Sequence, residues 1–258
     1  MTFDPQLAVL LSADALAFEY GPSVFGPHPE LRSLDAIRYS LLSPSCSGPD
    51  PVYCIAMDVG REEHAEALRQ RMLLFGVVAY ESGRLGDEPV RSQGHVHAIA
   101  PHCGWSTPEL FEIWQGEAII YAQETVMDRP GRCIAIEAGP GDKIVIPPGW
   151  AHCVINRNPE SRMMFGAWCD REYGFVYDGV RAHGGLAWFP QLREGCLAWQ
   201  RNPAYEPSQL ISRPARSYPE LGVSSELPIY EQFARDHNSM QWVSEPYMVQ
   251  DLWDNFEP

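Results

Sequence analysis

Between about Leu74 and Trp168 the chain breaks into short β-branched and aromatic runs, "LLFGVVAY", "FEIWQGEAIIYAQE", "RCIAIEAGPGDKIVIPPGW" and "HCVIN", each closed by glycine, proline or another turn residue. Helical periodicity is absent from this stretch. Strands this short, with no helical crossover between them, cannot build parallel βαβ units. The expected core is therefore an all-β antiparallel sandwich or small barrel. The flanks differ. "PQLAVLLSADALAF" places apolar residues at helical spacing, and "REEHAEALRQRML" from Arg61 is a run of strong helix formers. Between them lies the loop "LSPSCSGPDP". The Pro-rich tail holds helix candidates at "IYEQFARDH" and "PYMVQDLWDNF". We expect one compact domain: an N-terminal helical extension over 1–73, a barrel over 74–190 and a C-terminal extension over 191–258.

Composition narrows the function. A formal net charge of −15 over 258 residues opposes sequence-independent binding to nucleic acid or an anionic membrane, both of which need a positive face. Lys143 is the only lysine, so an anionic ligand would be held by arginine forks, hydroxyls or backbone N–H groups. Seven scattered cysteines, odd in number and never in a CxxC pair, read as reduced thiols of a cytoplasmic protein. No segment reaches the roughly 18–20 apolar residues of a membrane span.

The chemistry centres on "GHVH". Side chains two apart on a strand share a face, so His95 and His97 can grip one ion. Glu109 opens a strand in which Phe111 and Ile113 share its face and Glu112 points away. His152 follows "IPPGWA" and shares a face with Val154 and Asn156. Three imidazoles and a carboxylate suit one divalent ion, Fe²⁺, Mn²⁺, Zn²⁺ or Ni²⁺, with positions left for a substrate.

HxH, then Glu, then a distant His after "GPGDKIVIPPG" resembles the two-motif signature of the cupin superfamily, whose fold is a double-stranded β-helix, a jelly-roll barrel. Within it, "GDEPVRSQGHVH", "ELFEIWQGEA" and "IPPGWAHCVIN" resemble the hallmarks of the cupin-type glucose-6-phosphate isomerases, and the similarity runs from about Arg32 to Trp253. The resemblance implies a metal-dependent aldose–ketose isomerase acting on a phosphorylated sugar, and a homodimer formed through sheet packing. In that reading His95, His97, Glu109 and His152 hold the metal, Glu109 also acts as base or is a ligand only, with a metal-assisted hydride shift, and Tyr173 moves a hydroxyl proton or opens the ring. Ser92 and Gly94 would hold the phosphate, with Arg91 and Arg171 added as bidentate candidates on chemical grounds. The departures concern the sugar. The gap from His97 to Glu109 is about five residues longer than usual, a family tyrosine is Phe111, and "WCDREYG" sets Trp168 and Arg171 near positions of an expected Tyr and His. A different sugar or sugar-phosphate cupin, a cupin dioxygenase and a sugar-binding module are the alternatives. His102 and Lys143 are expected at the surface.

Overall fold

The computed structural model describes residues 3–258. Its centre is two facing sheets. One has six strands in the order Lys143–Ile146, Glu109–Gln115, Met163–Asp170, Leu73–Tyr80, Tyr53–Met57 and Glu30–Arg32; the other has Ala151–Asn156, Ala118–Gln123, Cys133–Ala138 and Leu210–Pro214. The pairings are antiparallel except that Leu210–Pro214 runs parallel to Cys133–Ala138. Alternation decides what each sheet buries. Phe111, Ile113, Ile144, Phe165 and Val78 of the first face Ile120, Ile134, Ile136 and Val154 of the second and fill the barrel. Trp114, Trp168, Phe75 and Val77 point out of the six-stranded sheet, under the N-terminal segment and the helices at Ile229–Arg235 and Gln241–Ser244. Ile119, Tyr121, Cys153 and Ile155 point out of the four-stranded sheet and are covered by the hairpin Trp188–Arg193/Cys196–Arg201. This is the jelly-roll barrel that the resemblance implies.

The extensions are more closely woven into the barrel than expected. Strands at 30–32 and 53–57 complete one sheet and the strand at 210–214 completes the other, so the barrel boundaries at 74 and 190 do not separate structural units. The expected N-terminal helix is a hairpin, Val9–Leu11 against Phe18–Tyr20. Val9 is buried and Leu10 is exposed, the parity of a strand laid on a core, and tertiary packing overrides the alanine- and leucine-rich composition. The second predicted helix forms only over Ala65–Gln70, and the C-terminal ones over Ile229–Arg235 and Gln250–Trp253. No helix among the described residues is long and apolar enough to cross a membrane.

Candidate metal centre

The segment 90–97 lies along the free edge of strand Ala151–Asn156 without forming a continuous strand. Ser92 N–H donates to the Val154 carbonyl, and His95 and His152 exchange both backbone hydrogen bonds. His95 is thereby set directly opposite His152. Gly94, at φ +89°, turns the chain into this register, and a Cβ there would come within 2.7 Å of Leu186 Cδ1. A second left-handed glycine, Gly149 at φ +79°, closes the Pro147–Trp150 turn and delivers His152 into its strand. Glu109 begins its own strand on the opposite sheet, one residue from Leu110, whose partner is Trp168.

These elements bring His95, His97, Glu109 and His152 together, with one ligand atom from each lying within 4.8 Å of the others. That is near the separation of donors sharing one ion, about twice a bond of roughly 2.1 Å. His97 Nδ1 donates to the Thr107 carbonyl at 2.9 Å, which in the neutral imidazole leaves its Nε2 as a lone pair. His152 Nδ1 makes the same contact with the Trp150 carbonyl at 3.4 Å. Nε2 of His152 and of His97 converge on Glu109 Oε2 at 3.0 and 3.2 Å, as donors while they carry a proton and as lone pairs facing the carboxylate once they lose it. Nε2 of His95 and of His97 are buried and have no hydrogen-bond partner. A buried cluster of lone pairs and a carboxylate is costly unless a cation joins them, so the donor set fits a divalent ion.

Electrostatics agree with a carboxylate ligand. Burial opposes ionisation of Glu109, but hydrogen bonding and charge from His152 and His97, when they carry protons, outweigh it and hold its pKa far below the usual range. Burial, then His152 and His97, push His95 well down. Burial also disfavours His97⁺, although Glu109 and the Thr107 carbonyl reverse the net direction.

Above the ligands is a narrow aromatic cleft walled by Tyr53, Tyr80, Phe111, Phe165, Phe175 and Tyr177. Phe111 stands edge-on to His152 at 5.9 Å, so the missing tyrosine hydroxyl is absent from the cleft wall itself. Ser92 lines the cleft, its Oγ accepting the Val154 N–H. Other expected residues lie elsewhere. Arg91 is buried and fully engaged with Glu88 (Nε, 2.7 Å) and with the Ser92 and Ser40 carbonyls, so its guanidinium braces the 90–97 segment instead of meeting a phosphate. Arg171 forms a bidentate pair with Asp58 at 2.7 and 3.0 Å, which neutralises the charge expected to reach the substrate. Tyr173 stands outside the cleft lining, against Phe175; Phe175 and Tyr177 come closer, with ring centroids 4.4 and 6.1 Å from His95. Trp168 faces the outer layer, where its Nε1 donates to the Ile229 carbonyl at 3.1 Å.

Cys169 takes the inward place beside Trp168: its thiol, kept protonated by burial and by Glu109, donates to Glu109 Oε1 at 3.3 Å. Strand parity could have pointed to it. His102 is exposed as expected but is tied down, and Lys143 is not a surface residue. His102 of the added loop reaches Asp170, Glu172 and the Ser244 carbonyl at 3.1–3.3 Å, which fastens the loop carrying Thr107 behind His97. Lys143 is buried beside Glu112 at 3.4 Å.

A protein of Rhizobium meliloti (strain 1021) named "Putative glucose-6-phosphate isomerase 2" is 28% identical over 115 residues, 44% of this chain and 52% of that one, so the match spans about half the length of the relative. Among solved structures, an oxalate oxidase (15% identity, 41% of this chain and 45% of that one) gives a TM-score of 0.31. Oxalate decarboxylase of Bacillus subtilis (14%, 60% and 31%) gives 0.37, and hazelnut vicilin from Corylus avellana (11%, 49% and 32%) gives 0.36. Residues 38–208, a stretch containing all four clustered ligands and most of the cleft wall, match the family described as glucose-6-phosphate isomerase (GPI), and the chain belongs to that family.

Proposed function

We propose that the protein interconverts glucose 6-phosphate and fructose 6-phosphate with one divalent ion, Fe²⁺, Mn²⁺, Zn²⁺ or Ni²⁺, held by His95, His97, Glu109 and His152. The observation that carries this reading is the convergence of those four side chains, with two orphaned buried imidazole nitrogens, at the base of a cleft in a chain of this family. When bound, such an ion supplies Lewis acidity to the two adjacent oxygens of the sugar.

Aldose-to-ketose conversion takes a proton from C2 and returns one to C1, while a hydroxyl proton passes between O2 and O1. Glu109 is a carboxylate buried at the cleft base among the candidate ligands, and we assign it the carbon-bound proton. The Cys169 thiol holds Oε1, which leaves Oε2 as the oxygen directed at the imidazoles. The aromatic wall excludes water from the enediol-like charge as it forms. Ser92 and the hydroxyls of Tyr53, Tyr80 and Tyr177 are the polar groups that orient the sugar from the wall, and Tyr177 is better placed than Tyr173 to exchange a hydroxyl proton.

The test is a coupled assay with fructose 6-phosphate on protein loaded with each of the four metals, followed by a panel of hexose and pentose phosphates and their unphosphorylated parents. Solvent deuterium should enter C2 of the glucose 6-phosphate product. If no sugar phosphate turns over while the site holds stoichiometric metal, or if unphosphorylated sugars react equally well, the reading fails.

A further inference from the structure

With Arg91 paired to Glu88 and Arg171 to Asp58, a cation that joins the Ser92 hydroxyl in holding an anionic end of a substrate has to come from elsewhere in the fold. Arg32 is such a cation. It lies on the edge strand Glu30–Arg32, at the far side of the six-stranded sheet from the strand that carries Glu109.

Cross-strand register places Arg32 opposite Tyr53, Tyr53 opposite Tyr80, and Glu30 opposite Ile55. Directly paired residues of adjacent strands share a face, so Arg32 and Glu30 lie on the side of the sheet from which Tyr53, Tyr80 and Ile55 line the cleft. The Tyr53 and Tyr80 rings stack at 4.8 Å and continue this row toward Ser92 and His95. Arg32 Nη1 pairs with the largely exposed Glu30 at 2.8 Å, while its Nε is buried and has no hydrogen-bond partner. A buried guanidinium N–H without an acceptor is costly; Arg171 and Arg213 share that feature, but Arg32 is the cation in register with the tyrosine row. Burial raises the pKa of Tyr53 and of Tyr177, both in the cleft wall, and the Arg32 charge reaches both hydroxyls in the opposite sense.

We infer that Arg32 is the specificity-determining anchor for the anionic end of the substrate, taking a phosphate oxygen on its fork while Glu30 is displaced toward solvent. The inference rests on the phosphosugar reading for the identity of the anion, but its test does not need turnover. Calorimetric titration of the metal-loaded protein with inorganic phosphate, at low salt, compares wild type with Arg32→Ala, Glu30→Gln and Arg171→Ala. Loss of a charge-assisted pair should weaken phosphate binding by ~10- to 100-fold in Arg32→Ala. Glu30→Gln, which removes the competing carboxylate, should tighten it, and keeps the inference open to refutation if Arg32→Ala does not fold. Arg171→Ala should bind as wild type does. Equal binding to wild type and Arg32→Ala, or no binding to wild type, overturns the inference. Arg32-dependent phosphate binding in a protein that turns over no sugar phosphate would uphold the anchor and defeat the isomerase reading instead.

Discussion

Replacing Trp168 separates a packing role from a substrate role. Its side chain is fully buried on the outer face of strand Met163–Asp170, edge-on to Phe75 at 4.7 Å, stacked on Tyr230 at 5.6 Å, and bonded through Nε1 to the Ile229 carbonyl. Trp168→Phe keeps an aromatic ring but strands that carbonyl, at a cost of about 1–3 kcal/mol, and leaves a void where the second ring was, for roughly 1 kcal/mol more. A total of about 2–4 kcal/mol should lower the unfolding midpoint by several degrees in a chain of this size, at about 2–4 °C per kcal/mol. Trp168→Ala should cost about 3–5 kcal/mol. Neither change touches the cleft, so metal content and KM for the sugar phosphate should stay within about twofold of wild type at a temperature where the variant is folded. Thermal unfolding, metal analysis and steady-state kinetics on one preparation provide the measurement. A large rise in KM with an unchanged unfolding midpoint would refute the argument and return Trp168 to the sugar.

Glu112 should make stability depend on pH. Burial raises its pKa to about 7 despite Lys143 and the N–H groups of Ile229 and Trp114; a folded-state value raised above the ordinary 4.5 means stability fully present below about 4.5 and lost as pH rises through about 7, by about 3 kcal/mol at about 1.4 kcal/mol per unit. Urea unfolding at pH 5 to 8 should show this component, and the double variant Glu112→Gln, Lys143→Met should lose it; an unchanged pH slope in that variant would sink the assignment. Metal removal should destabilise the fold as well: an ion present at about 100 times its Kd adds about 2.7 kcal/mol, so a chelator should lower the midpoint of wild type but not that of His152→Ala. A chelator response retained in His152→Ala would show that the ion sits elsewhere.

The candidate metal set is legible in the chain because each part of it is local. Alternation around Glu109 and His152, the pair of histidines in "GHVH", and the glycines that turn both segments can all be read within a few residues. Their faces in the structure are those that a period of two requires: Phe111 and Ile113 follow Glu109 inward, and Val154 follows His152. The N-terminal hairpin is not legible, since "PQLAVLLSADALAF" satisfies a helical pattern until a core is present against which alternate residues can pack.

The substrate side resists reading for a different reason, which is parity and partnership. Trp168 and Cys169 differ by one place, and a shift of one place along a strand exchanges the two faces of a sheet. A motif comparison with a changed segment length carries no such parity, whereas the pairing of Leu110 with Trp168 does: it puts Cys169 beside Glu109 and sends the indole outward. The arginines obey the same logic. Arg91 and Arg171 look available because a sequence shows charge but not which carboxylate lies across the fold; Glu88 and Asp58 engage them. Arg32 looks like part of an extension because its neighbours across the sheet, Tyr53 and Tyr80, come from two later strands. Chemistry that depends on one segment can therefore be read from the chain, while the cation proposed for the anionic end of the substrate stands beside residues that only the sheet order brings together.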